Sequence, residues 1–321
     1  MRRVGPWSTA VIGVVPDADI ITCKALIAVP VIRAAARRVG GRFVYDIADI
    51  HTEAARLARM PAWFRAFVRR RERRWMHEAA ALTAVSPDVA DEVRRFGVER
   101  PVVVLNCPPA WRPGEMLPAR TGKLHNVASV SADRPIVLYQ GGFSVDRGIE
   151  DLVAAVEHPA LEGTRIAAVF VGYGRLRSWL DEQAARLPGQ IAVTDAIPPQ
   201  ELPEYTVDAD IGYVGQPPRT LNQRLNLANK WFEYLQAAVP VIVAEGTAHC
   251  RMTREHEVGV CVDVDDPAAI AGAIRRLLDE SPYRREERRL HARKVALEQF
   301  TWEIHRSTVI ELYRRLDPGR G

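Results

Sequence analysis

Short apolar runs alternate along this chain with longer stretches of helical periodicity. That alternation predicts an α/β architecture built on parallel sheets. In the first third, residues 20–22 read as a strand and 25–39 as a helix, broken by Gly40-Gly41. Residues 42–47 (RFVYDI) form a buried strand, and 61–80 a long arginine-rich helix. Residues 81–85 are a strand ending in Ser86-Pro87, a pair that caps and opens a helix over 88–96. A further strand, 101–105, stops at Asn106-Cys107-Pro108-Pro109.

Residues 108–134 mix proline, glycine and polar residues without a period and read as a connection. A second series then begins, with strands at 136–139, 166–171, 191–194, 211–214, 241–244 and 259–262. Helices are predicted between them at 148–156, 176–187, 199–206, 229–238 and 267–281, and a last one at 303–316 follows a stretch of mixed charge. IVLYQ and VIVA lack polar alternation, as strands covered on both faces do. The expected assembly is two Rossmann-like halves facing a cleft, with ligands at the carboxyl ends of the strands. The expected boundaries are 1–118 for the first domain, 119–134 for the linker, 135–300 for the second domain, and 301–321 for a helix crossing back.

Composition narrows the classes. With 321 residues, 47% apolar and 26% charged, the chain is neither disordered, collagen-like nor a disulfide scaffold. Cys23, Cys107, Cys250 and Cys261 are scattered, without a CxxC pair, which fits a reducing compartment and no structural zinc. Lys24, Lys123, Lys230 and Lys294 are the only lysines among 44 basic residues, so arginine is the default cation, as coding bias produces. Arginine counts therefore carry little functional weight, and each lysine carries more. The net charge of +4 only weakly favours anionic partners. Residues 4–15 are too short to span roughly 30 Å of hydrocarbon. Met1-Arg2-Arg3 imitates the start of a signal peptide, but Pro16-Asp17-Ala18-Asp19 is a poor cleavage site, so a cytoplasmic location is expected.

Two constellations follow predicted strands of the second half. Gly141-Gly142-Phe143-Ser144-Val145-Asp146-Arg147-Gly148 lets the backbone approach an anion, and the next helix points its N–H groups the same way. Arg147 opposes the dipole of that helix, which a bound phosphate explains; the plain alternative is a glycine turn with a solvated arginine. In Asn229-Lys230-Trp231-Phe232-Glu233, Lys230 and Glu233 share one helix face. Lys230 suits a diphosphate and Glu233 a pair of ribose hydroxyls; the plain alternative is a surface ion pair worth about 0.2–0.5 kcal/mol.

NKWFEYLQAAVPVIV resembles the donor-site helix of family 4 glycosyltransferases, which have the GT-B fold, and GGFSVDRGIEDLVAAV resembles that family's phosphate loop. VFVGYGRLRSWLDEQA, DAIPPQELPEYTVDADIGYV and GVCVDVDDPAAIAGAI are similar in order and spacing, so the resemblance covers nearly all of residues 136–278. It implies a retaining transfer from a UDP- or GDP-sugar that needs neither metal nor other cofactor. Arg147 and Lys230 would stabilise the leaving diphosphate, with Gly141, Gly142, Gly172, Gly174 and Asn229 around the donor. Glu233 would hold the ribose, and the backbone near Ile197 and Pro198 would read the base. The family often has a second glutamate eight residues before Glu233; here the position is Leu225, which leaves hexose recognition unassigned. Three D-x-D patterns, at Asp17/Asp19, Asp208/Asp210 and Asp263/Asp265, imitate a metal motif but stand among no other ligand types.

The first half fits less well. FVYDIADIHTEAAR resembles the family's D-x-H-D-x-x-x-x-E segment, with Asp46, Asp49 and Glu53 in place and His51 displaced by three residues. Asp49 and Glu53 are the acceptor-side candidates, and His51 is expected to face a cleft or be solvated. The resemblance implies about three further strands and a glycine-rich loop before residue 20, which Gly5 and Gly13 do not replace, so the N-terminal domain is expected to be incomplete. Along residues 59–76, Trp63, Phe64, Phe67, Val68 and Trp75 recur at helical spacing among arginines. Such a helix suits an anionic membrane surface at the inner face of the plasma membrane and a lipid-linked or glycan acceptor, as in cell-envelope polysaccharide assembly. No nucleic-acid partner is expected, since no reading module accompanies the basic stripe. A non-catalytic nucleotide-sugar binder is the alternative.

Overall fold

A computed structural model describes residues 17–53 and 55–316. The basic start and the apolar run at 4–15 lie outside the described residues. The chain forms two compact units: one of residues through Asn106 together with Thr220–Asn226 and the chain from Glu303 on, the other of Cys107–Arg219 and Leu227–Trp302.

The first unit holds four parallel strands in the order β1 (Ile20–Cys23), β2 (Arg42–Ile47), β3 (Ala81–Ala84), β4 (Val102–Val103). Helices α1 (Val29–Val39), α2 (Ala62–Glu78) and α3 (Pro87–Arg95) alternate with them. Gly40, at φ 70°, ends α1 in the left-handed conformation, and the Ser86 hydroxyl accepts the Val89 N–H at 3.1 Å to open α3. Tyr45, Ile47, Val89 and Val93 centre the core.

The second unit is a six-stranded parallel sheet in the order β10-β9-β8-β5-β6-β7. Its strands are β5 (Ile136–Phe143), β6 (Ala167–Gly174), β7 (Ile191–Thr194), β8 (Ile211–Val214), β9 (Val241–Ala244) and β10 (Gly259–Val262). The helices are α4 (Lys123–Val127), α5 (Ile149–Val156), α6 (Arg177–Arg186), α7 (Leu202–Thr206), α8 (Leu221–Leu225), α9 (Asn229–Gln236), α10 (Ala248–Glu255), α11 (Pro267–Leu278), α12 (Pro282–Gln299) and α13 (Trp302–Leu316). Of these, α8 and most of α13 pack with the first unit.

Four sequence expectations change. β5 and β6 run past Tyr139 and Val171 and stay paired through Gly141↔Gly172 and Phe143↔Gly174, so the expected loop at Gly141-Gly142 is strand. The close approach needs glycine: at Gly172, φ 153°, a Cβ would overlap the Gly141 carbonyl oxygen. The mixed-charge stretch after 281 is the helix α12, whose buried stripe is Ala292, Arg293, Val295 and Ala296. Small residues and a buried arginine hide its periodicity. Third, Cys250 and Cys261 are joined by a disulfide, with Cα atoms 5.4 Å apart, because α10 packs beside β10. The cysteines are thus not all isolated, as their scatter without a CxxC pair suggested; Cys23 and Cys107 are the free ones among the described residues.

The fourth concerns the connection after Asn106, which is fastened to the second unit. Arg293 is fully buried and donates to the carbonyls of Trp111 and Arg112, each at 2.6 Å, of Glu115, and of Gln236. Asp208, also fully buried, accepts the N–H groups of Thr121, Gly122 and Leu124 at 2.6–2.9 Å. Asp210 is taken by Arg120 at 2.7 Å and by the Ile136 N–H. This D-x-D pair anchors chain.

Candidate functional site

In a parallel sheet the carboxyl ends of all strands lie along one edge. There β5 ends at Gln140-Gly141-Gly142-Phe143, β6 at Gly172-Tyr173-Gly174, and the loop after β7 carries half-buried Ile197. Between β5 and α5 the backbone turns through Asp146 and Gly148, both at positive φ. A Cβ at Gly148 would overlap the Gly215 carbonyl oxygen, so the turn that carries Arg147 requires glycine there. Arg147 precedes α5 by two residues, and its Nη1 donates to Gln216 Oε1 at 2.8 Å.

The helix α9 brings its first turn to the same place. Lys230 Nζ lies 3.6 Å from the centre of the Tyr139 ring, and a Cβ on Gly141 would stand 3.5 Å from that ammonium. The ammonium thus sits on an aromatic face beside glycine backbone. Among the described residues no carboxylate pairs with it, so the surface Lys230–Glu233 ion pair is not formed. Lys230 keeps a little exposed surface, but the packing around Nζ is dense: desolvation first, then the charge of Arg147, push its pKa down to about 7, against a smaller pull from Glu233.

Glu233 stands one turn on. Its Oε2 accepts from Gln140 Nε2 at 2.5 Å, and Gln140 Oε1 accepts from Thr206 Oγ1 at 3.0 Å, so the carboxylate is aimed by a buried chain. Burial raises its pKa; the Gln140 bond and Lys230 oppose the rise. Tyr234, fully buried, ties α9 to β5 by donating to the Leu138 carbonyl at 2.9 Å and accepting the Gln140 N–H at 3.1 Å.

One supporting residue has no signal in the sequence. His249, buried on α10, accepts the Ala228 N–H through Nε2 at 2.7 Å and so fixes the residue that opens α9. Burial, with Lys230 and Arg147 adding, pushes its pKa down to about 3. The ring is therefore neutral, with its proton on Nδ1. Trp231 Nε1 donates to Thr253 Oγ1 at 2.9 Å, so α10 braces α9 twice. His249 lies outside every motif, and only the packing of α10 against α9 gives it a role.

The structure thus gathers Gly141, Gly142, Gly172, Gly174, Arg147, Asn229, Lys230 and Glu233 at one sheet edge, with Ile197 on the same edge beyond β6. Leu225 is not among them. It packs on the core of the first unit, and its carbonyl accepts from Ser86 Oγ at 3.0 Å.

In the first unit, Asp49 Oδ1 accepts from Asn226 Nδ2 at 2.6 Å, and Asn222 clasps both backbone groups of Ile50. Glu53 pairs with Arg69 at 2.6 Å and more loosely with Arg65 at 3.4 Å. His51 is half-buried, and its Nε2 is enclosed with no partner among the described residues. Below it, Tyr45 donates to the buried Glu72 at 2.8 Å, a pairing the arginine-rich pattern of α2 concealed.

Two Rossmann-like units, and a lysine–glutamate helix set against a glycine-rich sheet edge, define the class: the fold is that of GT-B glycosyltransferases. Residues 134–280 match the family described as "Glycosyl transferases group 1". It is 27% identical over 195 residues to the D-inositol 3-phosphate glycosyltransferase of Acidothermus cellulolyticus, an alignment spanning 57% of this chain and 42% of that relative. The fold is also similar to Anabaena Alr3699/HepE, solved in complex with UDP (TM-score 0.77, 16% identity, 97% of this chain and 82% of that one). Sucrose-phosphate synthase of Thermosynechococcus elongatus is similar as well (TM-score 0.72, 20% identity, 93% and 73%).

Proposed function

We propose that the second unit binds a nucleotide-diphosphate sugar and that the protein moves its hexose, with retention and without a metal, to a glycan or lipid-linked acceptor. The observation that carries this reading is Lys230: an ammonium desolvated on the Tyr139 ring, beside Arg147 and glycine backbone, with no carboxylate to neutralise it. Such an arrangement is costly until an anion arrives. A diphosphate there meets Lys230, Arg147 and the first N–H groups of α9, all of which strengthen as charge develops on the leaving group. Glu233, held by Gln140, accepts from the ribose hydroxyls. Asp49, held by Asn226, and Glu53, held by Arg69, are the residues of the first unit we assign to the acceptor. The complexes of Alr3699/HepE with UDP and with UDP-glucose make UDP the first nucleotide to try, ahead of GDP and ADP.

The pKa of Lys230 supplies a test. At about pH 8 an ammonium with a pKa near 7 is mostly neutral, and a diphosphate beside it raises that value. UDP binding is therefore expected to take up nearly one proton at about pH 8 and almost none at about pH 6, with affinity falling as pH rises above 7. Calorimetry in buffers of different ionisation enthalpy reads the uptake directly. An affinity independent of pH across that range, with no proton taken up, sinks the assignment. Tight binding without turnover on any acceptor would instead point to a nucleotide-sugar binder that is not an enzyme.

A second reading, attachment to an anionic membrane surface, is favoured by one observation. Trp63 and Phe67 are 72% and 53% exposed on α2, among the exposed residues Arg70, Arg71, Arg73 and Arg74. Among the described residues no helix is long and apolar enough to cross a membrane, so α2 would lie on the surface. Replacing both aromatics by serine is expected to weaken sedimentation with vesicles containing anionic lipid by about tenfold or more. Equal sedimentation of the double variant and the parent protein would rule this reading out.

A further inference from the structure

Where β8 and β9 begin, on the sheet edge opposite the donor-site residues, the second unit has a cavity of about 390 Å³. That lies within the size range of small-molecule sites. Four guanidinium groups line it: Arg120, Arg285, Arg288 and Arg289. Two are already spent. Arg120 pairs with Asp210 at 2.7 Å, and Arg288 clasps Glu280 with two donors, one at 3.0 Å. The other two are not. Arg285 Nε and Arg289 Nη2 are enclosed, with no partner among the described residues. Arg289 donates through Nε to the Ala238 carbonyl at 3.3 Å and has no carboxylate of its own. Glu286, the third carboxylate on the lining, leaves four cations against three anions. Burial first, and then the neighbouring Arg120, push the pKa of Arg289 below the usual guanidinium range, which marks an under-neutralised group.

We propose that this cavity binds a small phosphorylated organic molecule, its phosphoryl group taken by Arg285 and Arg289 and its organic part by the apolar wall around Ile211 and Leu277. Phosphate is the fitting head group: its oxygens accept from guanidinium forks in pairs, and its charge answers the excess on the lining. Unpaired enclosed donors are a cost that such a ligand removes. The site does not depend on the donor-site reading and shares no residue with it. It touches the same helix from the other end, because Ala238, at φ 59°, closes the turn after α9.

The test is calorimetry on the full chain saturated with UDP, using glucose 6-phosphate, inorganic phosphate and glucose as probes. Glucose 6-phosphate is expected to bind, inorganic phosphate to bind more weakly, and glucose not at all. Arg285→Gln and Arg289→Gln are each expected to weaken binding at least tenfold. Arg289→Gln also loses the bond to Ala238, so Arg285→Gln, which breaks no described hydrogen bond, keeps the test readable if the first variant fails to fold. Absence of heat with both phosphates, or undiminished binding in Arg285→Gln, would overturn the proposal. If UDP itself does not bind, the donor reading fails, and the phosphate titration is read on the apo protein.

Discussion

Lys230→Ala is expected to give a protein that melts no lower than the parent yet has lost its response to UDP. The two halves of that result have one cause. The ammonium is desolvated against Tyr139, and its pKa is depressed to about 7 from the usual 10.5. For a lysine held below its unfolded value, the unfolded chain binds more protons between those two pH values, so stability rises with pH across that window. Below about pH 7 the penalty is present in full, and removing the charge removes it. On the proposed reading the nucleotide reverses the balance, because a diphosphate would supply the missing partner. Without the ammonium, kcat/KM for a nucleotide sugar is expected to fall by about 10²–10³, the usual cost of one preorganised group at a developing charge. Thermal scans with and without UDP, at pH values on either side of 7, test both halves. A variant that melts well below the parent would make Lys230 structural, and an undiminished shift with UDP would place the diphosphate elsewhere.

Arg293→Met is expected to be the most damaging single change for the second unit. One guanidinium, buried without surface exposure, serves the carbonyls of Trp111, Arg112, Glu115 and Gln236, and Trp111 lies under it at 5.6 Å. Burial lowers its pKa to about 10, so it remains charged at neutral pH. Methionine fills similar space but leaves buried carbonyls without donors, each costing about 1–3 kcal/mol. A loss of roughly 3 kcal/mol or more is expected in the transition of this unit. Urea unfolding followed by tryptophan emission reads it, since Trp111, Trp179 and Trp231 all belong to this unit. Arg293→Lys keeps the charge and part of the donation and is expected to recover some of the loss. A change under about 1 kcal/mol for the methionine variant would show that the connection holds by other contacts.

Arg293 also shows where sequence reading stops. In a chain whose cations are almost all arginine, a count gives no reason to single one out, and the charged stretch around Arg293 looks irregular. The helix α12 exists because its small residues and that one arginine face inward together, which no hydropathy pattern records. Lys230 was the opposite case. A lysine where arginine is the default, three residues before a glutamate and after a glycine-rich turn, is distinctive in the sequence itself.

What the sequence determined by itself was the alternation of strand and helix, the parallel class of both sheets, and most of the residues that gather at the carboxyl edge of the second sheet. These are local matters: uninterrupted apolar runs, glycines at strand ends, and spacing on one helix turn. The tertiary structure alone decided the rest. It drew α8 and Leu225 onto the first unit, brought Cys250 to Cys261, set His249 under the start of α9, and left Arg285 Nε and Arg289 Nη2 without partners around one cavity. Each depends on a contact between elements distant along the chain or packed from different faces. Whether a polar side chain finds a partner there is settled by packing geometry, which a linear pattern does not carry.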